Sequence, residues 1–192
     1  MSAASDRPAR PAGPLEVDES VLELEKVREL VRAVPDYPEP GVLFRDLTPA
    51  LADAEAFAIL TTELAASAGA ADLIAGVEAR GFLIGAAVAL VAGTGVVPVR
   101  KAGKLPAVAG SRTYQLEYGT ATLELPAGTV EPGARVFVVD DVLATGGTAA
   151  AACGLLTDVG AEITGFGTVV ELAALRGRER LTGIDVHALL TY

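Results

Sequence analysis

Cysteine is nearly absent from this chain, with Cys153 alone among 192 residues. A single thiol excludes an internal disulfide and a cysteine metal cluster, and in its alanine-rich helical stretch Cys153 is expected to pack as a small hydrophobe. Histidine is as scarce. His187 is the one example, and its place in an alternating apolar run points to a structural or partly exposed role and not to catalysis. Basic residues are outnumbered, 15 Lys and Arg against 25 Asp and Glu, for a formal net charge of −10. That balance opposes nonspecific attraction to nucleic acid or to an anionic membrane. Long apolar runs are missing too. Phe82 to Ala92 is interrupted by glycine and too short to span a bilayer, and the first residues lack a charged region followed by an apolar signal core. No membrane association and a cytoplasmic location are therefore expected.

What the chain does have is apolar bulk, 51% hydrophobic residues, enough at this length for one domain with a full core. Met1 to about Pro14 combine Ser, Ala, Arg and Pro without periodicity, so residues 1–18 are expected to be a flexible tail and residues 19–192 a single domain. Ser20 and Glu23 form a capping box, and Val27, Leu30, Val31 and Val34 recur at helical spacing up to Pro35. Prolines 35, 38 and 40 with Gly41 predict an irregular loop, and Thr48 with Pro49 reads as the cap and first position of a helix whose apolar face is Phe57, Leu60 and Leu64.

Downstream, short β-rich runs alternate with helical ones: Asp72 to Val77, the Phe82 to Val91 helix, Gly95 to Val99, Arg135 to Asp140, a helix from Ala149, Ile163 to Val170, and a last strand from Ile184 to Tyr192. Such alternation predicts right-handed βαβ crossovers and a mainly parallel sheet flanked by helices. Between Lys101 and Leu125 the pattern breaks into Gly, Ser, Thr and Pro followed by a hairpin-like alternation around Tyr118 to Thr120.

The richest stretch is VFVVDDVLATGGTAAAA, Val136 to Ala152. A fully apolar strand ends in two acids, and acids at a strand's carboxyl end face a crevice. The turn Ala144, Thr145, Gly146, Gly147, Thr148 then presents backbone N–H groups at a helix start, where unpaired donors and the helix dipole favour an anion. Asp140 and Asp141 would repel that anion and suit neighbouring sugar hydroxyls or metal-bound water. A P-loop is excluded because no lysine follows Gly147, and a dinucleotide fingerprint because Gly93 and Gly95 lack a third glycine and precede a strand.

This segment resembles the 5-phosphoribosyl-1-pyrophosphate (PRPP) signature of the type I phosphoribosyltransferases. Four more segments, in the expected order, resemble the adenine phosphoribosyltransferase family within it: PDYPEPGVLFRDLTPAL, GVEARGFLIG, VRKAGKLP and YQLEYGTATLEL. The resemblance implies a type I phosphoribosyltransferase fold with a small base-binding hood and a flexible catalytic loop that closes over the site. It implies transfer of a phosphoribosyl group from PRPP to adenine through an oxocarbenium-like transition state, yielding AMP and pyrophosphate, with Mg2+ held mainly through PRPP and pyrophosphate. By position, Phe44 stacks on adenine while Leu43 and Arg45 offer backbone contacts. Glu78 and Ala79 shape the pyrophosphate turn, and Arg80, Arg100, Lys101 and Lys104 neutralise pyrophosphate. Glu117 acts at adenine N7 beside Tyr118, and the loop Ala144 to Thr148 holds the 5′-phosphate with Asp140 and Asp141 on the ribose. Arg80, Lys104 and Glu117 are the catalytic candidates. A homodimer is the family's usual state, with no nucleic-acid or membrane partner. Hypoxanthine, guanine and xanthine enzymes share the PRPP loop, and the resemblance at Phe44 and Glu117 selects adenine among them. A PRPP-sensing regulator would need a basic face that a net charge of −10 does not offer. The stretch Ser111, Arg112, Thr113 departs from the family pattern.

Overall fold

The computed structural model describes residues 19–115 and 119–192. The helix α1 spans Glu19–Leu30, followed by the strands β1 (Arg32–Pro35) and β2 (Leu43–Asp46) and the helices α2 (Thr48–Ala52) and α3 (Ala54–Ala68). Next come β3 (Leu73–Val77), α4 (Arg80–Ala92), β4 (Gly95–Lys101), β5 (Val108–Gln115) and β6 (Thr120–Pro126). The chain continues with β7 (Arg135–Leu143), α5 (Gly147–Asp158), β8 (Glu162–Glu171), two short 3-10 turns and β9 (Val186–Thr191).

Seven strands form one sheet in the order β5-β6-β4-β3-β7-β8-β9. Strands β4, β3, β7, β8 and β9 are parallel, and the β5–β6 hairpin extends the β4 edge in antiparallel register, with Arg100 opposite Glu124 and Lys101 opposite Leu123. The mainly parallel sheet read from the alternation of runs is present, and the hairpin is one of its edges. Strand β3 lies between β4 and β7, so successive connections leave it in opposite directions and open a crevice beyond its carboxyl end.

Strand β7 shows why its run is continuously apolar. Phe137 and Val139 point into a core shared with α1, α3 and α4, whereas Val136 and Val138 point into a second core under α5 and the hairpin. A strand covered on both faces cannot alternate polar with apolar residues. Both cores are filled mainly by branched aliphatics and alanine, with Phe137 in the first and Phe166 in the second, and Cys153 packs within the second as a small hydrophobe, its thiol pushed up to about 12 by burial.

Several element boundaries differ from the sequence reading, and two near the start of the described chain have a local cause. The first helix ends at Leu30, and Val34 belongs to β1, paired with Phe44. Helical spacing at Val31 and Val34 is overridden because the residue before a proline is driven toward extended backbone. Thr48 is the first residue of α2 and not its cap: its N–H is taken by Asp46 Oδ1 at 2.9 Å. The helix then stops at Asp53, whose carboxylate accepts from Ala56 N at 2.9 Å and starts α3. Among the described residues no helix is long and apolar enough to cross a membrane.

Candidate active site

The carboxyl ends of β3 and β7 lie side by side and carry most of the candidate residues. Asp140 and Asp141 end the apolar run of β7, and each is only 8% exposed. Asp141 N donates to Asp140 Oδ1 at 2.8 Å, while Arg80, in the first turn of α4, donates through Nε to Asp141 Oδ2 at 2.5 Å. Burial, together with the negative charge of Asp141, drives the Asp140 carboxyl well above the ordinary carboxylate range. The two adjacent acids thus have different settings: Asp141 is paired with a guanidinium, and Asp140 keeps its proton to a higher pH than an ordinary carboxylate. Gly81 permits this approach, since a Cβ there would stand 2.9 Å from the Val139 carbonyl oxygen and 3.1 Å from Asp140 Oδ1.

Beyond β7 the loop wraps a small cavity of about 80 Å³ lined by Asp140 and by residues 142–149. Gly146 adopts a left-handed φ of 79° and leads directly into α5, which starts at Gly147, two residues before the expected Ala149. A Cβ on Gly146 would lie 2.2 Å from the Gly177 carbonyl oxygen, so this glycine is demanded by both conformation and space. The N–H groups that open α5 have no intrahelical partner, which makes the cavity a place for an anion. Thr148 Oγ1 donates to the Tyr114 hydroxyl on β5 at 3.1 Å.

At the exit of β3 the Glu78–Ala79 peptide bond is cis. Glu78, 10% exposed at its side chain, gathers the basic stretch: it accepts from Lys104 Nζ, from Lys101 N at 3.0 Å and from Arg100 Nε at 3.5 Å. Burial works to raise the Glu78 carboxyl, but the Lys104 hydrogen bond, the Lys101 N–H and the two positive charges outweigh it and hold the group below its ordinary value. A cavity of about 400 Å³ opens between this turn and the hairpin, lined by Glu78, Ala79, Arg80, Lys101, Tyr114, Asp140, Asp141 and Thr148 among others. Of the basic candidates, Arg80 and Lys101 line this cavity, whereas Arg100 and Lys104 pair with Glu78 outside its lining, and Arg80 is engaged by Asp141.

The third element is the β1–β2 ribbon. On β2, Phe44 and Asp46 face a cavity of about 360 Å³ that Val34, Tyr37, Thr48 and Arg80 complete. Phe44 is half-buried, with Tyr37 edge-on at 5.2 Å between ring centroids and the Arg80 guanidinium 5.8 Å from its ring centre. It is not a core anchor. Leu43 is exposed, and Arg45 lies over the Tyr192 ring at 4.0 Å, so neither side chain lines that cavity.

Glu117 and Tyr118 lie outside the described residues. Four residues that line or support the crevice were not singled out from the sequence: Tyr37, Asp46, Tyr114 and Gly177. Tyr37 and Asp46 share a proline-rich segment with Phe44, which was a usable signal. Nothing local marks Gly177, because what it supports lies some thirty residues earlier in the chain.

Comparison with known proteins accords with this geometry. The phosphoribosyl transferase domain family model matches residues 48–186. The adenine phosphoribosyltransferase of Saccharopolyspora erythraea is 57% identical over 175 residues, covering 91% of this chain and 96% of that one. The crystal structure of the adenine phosphoribosyltransferase from Thermoanaerobacter pseudethanolicus superimposes with a TM-score of 0.84 at 45% identity, covering 88% of this chain and 99% of that one. The Saccharomyces cerevisiae enzyme, crystallised with an imino-altritol bisphosphate and adenine, gives a TM-score of 0.83 at 36% identity and the same coverage. With the two acids, the glycine loop and the aromatic ribbon around one crevice, the chain belongs to the adenine phosphoribosyltransferase family, built on the type I phosphoribosyltransferase fold.

Proposed function

We infer that this chain is a pentosyltransferase of purine salvage, joining adenine N9 to C1 of PRPP to give AMP and pyrophosphate. The observation that carries this reading is that three cavities are linked in series by shared lining residues. The small cavity at the start of α5 and the larger one beside Glu78 share Asp140 and Thr148, and the larger one shares Arg80 with the Phe44 cavity. A phosphate, a pentose with its pyrophosphate and a flat base need these three compartments in that order.

In this reading residues 19–192 act as one catalytic unit. The loop from Ala144 through Thr145, Gly146 and Gly147 to Thr148 holds the 5′-phosphate through its N–H groups and hydroxyls. Asp140 and Asp141 accept from the ribose hydroxyls, and an incoming hydroxyl at Asp141 frees Arg80 to turn toward pyrophosphate. Lys101, Lys104 and Arg100 face the same leaving group, with Glu78 holding the latter two until phosphate oxygens compete for them. Cations fixed there stabilise the negative charge that builds as the C1–O bond breaks. Phe44 stacks on adenine, the Leu43 and Arg45 backbone reads its edge, and Ala79 keeps the pyrophosphate turn open. Glu117, with Tyr118 beside it, holds a proton at adenine N7 as N9 attacks C1, a role typically worth about 10² to 10⁴ in rate.

Magnesium fits this donor set. Among the described residues there is no cluster of three or more His, Cys, Asp or Glu that could hold a metal ion. Asp140 and Asp141 would accept hydrogen bonds from water on an ion held mainly by PRPP and pyrophosphate oxygens. Such an ion supplies charge neutralisation on pyrophosphate.

A homodimer is part of the reading. Leu83, Leu90 and Val91 recur along one side of α4 and are 59%, 83% and 53% exposed, and Val96 at the start of β4 is 45% exposed. A contiguous apolar face of that kind is suited to a second copy. The enzyme is assigned to the cytoplasm, in keeping with charged substrates that do not cross bilayers. Incubation with adenine, PRPP and magnesium tests the activity: AMP is expected by chromatography, and its absence with correctly folded protein overturns the reading.

A further inference from the structure

The hydroxyl pair Thr148–Tyr114 stands where two of the three cavities meet. Thr148 opens α5 and lines both the small cavity and the larger one. Tyr114 reaches the same point from a different element, β5, where it packs against the second core and lines the larger cavity. The start of α5 is closely covered on that side: a Cβ on Gly147 would lie 3.3 Å from the Gln115 carbonyl oxygen and 3.6 Å from Tyr114 Cδ2. The hairpin is thus seated on the first turn of α5, and among the described residues the side-chain hydrogen bond joining the two there runs from Thr148 Oγ1 to the Tyr114 hydroxyl at 3.1 Å.

A hydroxyl has one proton to donate and two lone pairs to accept with. Here Thr148 gives its proton to Tyr114, and the proton of Tyr114 has no partner among the described residues. An anion in the small cavity changes the order. A phosphate accepts only, so the Thr148 proton turns to it, and the Tyr114 hydroxyl then donates to the Thr148 oxygen in place of accepting from it. Hydrogen bonds in such a chain polarise one another, which strengthens the terminal bond to a charged acceptor.

We propose that Tyr114 is a positioning residue for the phosphorylated sugar, orienting the Thr148 proton toward the 5′-phosphate by donating its own to Thr148. This rests on the phosphoribosyl reading of the small cavity, and its test does not require turnover. Ribose 5-phosphate carries the phosphate and sugar without pyrophosphate or base, and its affinity can be titrated by calorimetry against the full chain.

Tyr114→Phe keeps the ring in the core and removes only the hydroxyl, so its melting temperature is expected to match the parent's. Its Kd for ribose 5-phosphate is expected to rise about five- to tenfold, the order expected for the loss of one hydrogen bond. With PRPP the loss is expected in KM more than in kcat, and KM for adenine is not expected to follow. Thr148→Val should weaken ribose 5-phosphate by more, and adding Tyr114→Phe to it should cost little further, because the phenol then has no hydroxyl to orient. A rise in Kd of less than threefold for Tyr114→Phe, or an effect that adds in full to that of Thr148→Val, overturns the proposal. Failure of the parent to form AMP while it still binds ribose 5-phosphate would instead overturn the assigned reaction and leave this proposal standing.

Discussion

Gly177 lies so close to the turn after β7 that a Cβ on it would stand 2.2 Å from the Ala144 carbonyl oxygen. The contact is backbone against backbone and cannot be relieved by rotating a side chain. The turn that carries Gly177 is itself strapped down: Arg178 Nη2 and Nε donate to Glu171 at 2.5 and 3.1 Å, and Nη1 donates to the Val186 carbonyl at 2.7 Å. The loop assigned to the 5′-phosphate therefore takes its shape partly from a segment that lines none of the three cavities.

Gly177→Ala is expected to push the Ala144 to Gly146 backbone out of place. Overpacking of this kind costs about 1–3 kcal/mol of stability, and KM for PRPP is expected to rise at least tenfold while KM for adenine changes little. Thermal melts and a two-substrate kinetic series check it. A variant with normal PRPP kinetics would show that the loop does not depend on Gly177.

Phe44→Ala removes the flat wall of the cavity closed by Tyr37 and Arg80. The expected result is a KM for adenine raised about ten- to a hundredfold, on the order of the 1–3 kcal/mol that base–aromatic stacking contributes. Affinity for ribose 5-phosphate should stay within about twofold of the parent's. The half-buried setting of Phe44 makes a large loss of stability unexpected, and a melting temperature far below the parent's would argue for a core role instead.

Asp140 makes stability depend on pH in a stated direction. Because burial and Asp141 raise its carboxyl well above the ordinary value, the folded protein retains this proton at a pH where the unfolded chain, with its carboxyl near about 4, has lost it. The stabilising contribution is complete below the unfolded value and is lost as pH rises through the folded one. Asp140→Asn, which cannot ionise, should gain melting temperature relative to the parent as pH is raised above about 4 without substrate. A difference that stays flat or narrows contradicts this account of the site's electrostatics.

Leu90→Glu places a charge on the exposed side of α4 next to Leu83 and Val91. Sedimentation velocity is expected to show a dimer for the parent and a monomer-shifted equilibrium for the variant. A parent that remains monomeric at high micromolar concentration would remove the dimer from the functional reading.

Much of the fold was legible where the physics is local. The apolar run of β7, its two acids and the glycine turn each have a short-range cause, and all three stand where the sequence placed them. The β1 strand was hidden because Val31 and Val34 keep helical spacing, and the effect of Pro35 on the backbone before it was the stronger term. The tether of the basic stretch was hidden for another reason. Glu78 meets Lys104 across 26 residues and Arg100 across 22, contacts made by the parallel pairing of β3 and β4 and by no local pattern. Arg112, where the sequence departs from the family pattern, pairs with Asp158 at 2.8 Å and lies against Gly154 of α5. That ion pair helps seat the hairpin, a role visible only once α5 and β5 are packed together.

Everything in the proposed reaction turns on adenine as the acceptor of the phosphoribosyl group. Pyrophosphate release measured with PRPP, magnesium and each of adenine, hypoxanthine, guanine and xanthine, with the nucleotide product identified by chromatography, tests it most directly. AMP is expected from adenine with kcat/KM at least about a hundredfold above that of any oxopurine, the order reached when mismatched hydrogen-bonding groups at one edge cost about 3 kcal/mol. Comparable or faster turnover of hypoxanthine, guanine or xanthine would contradict it.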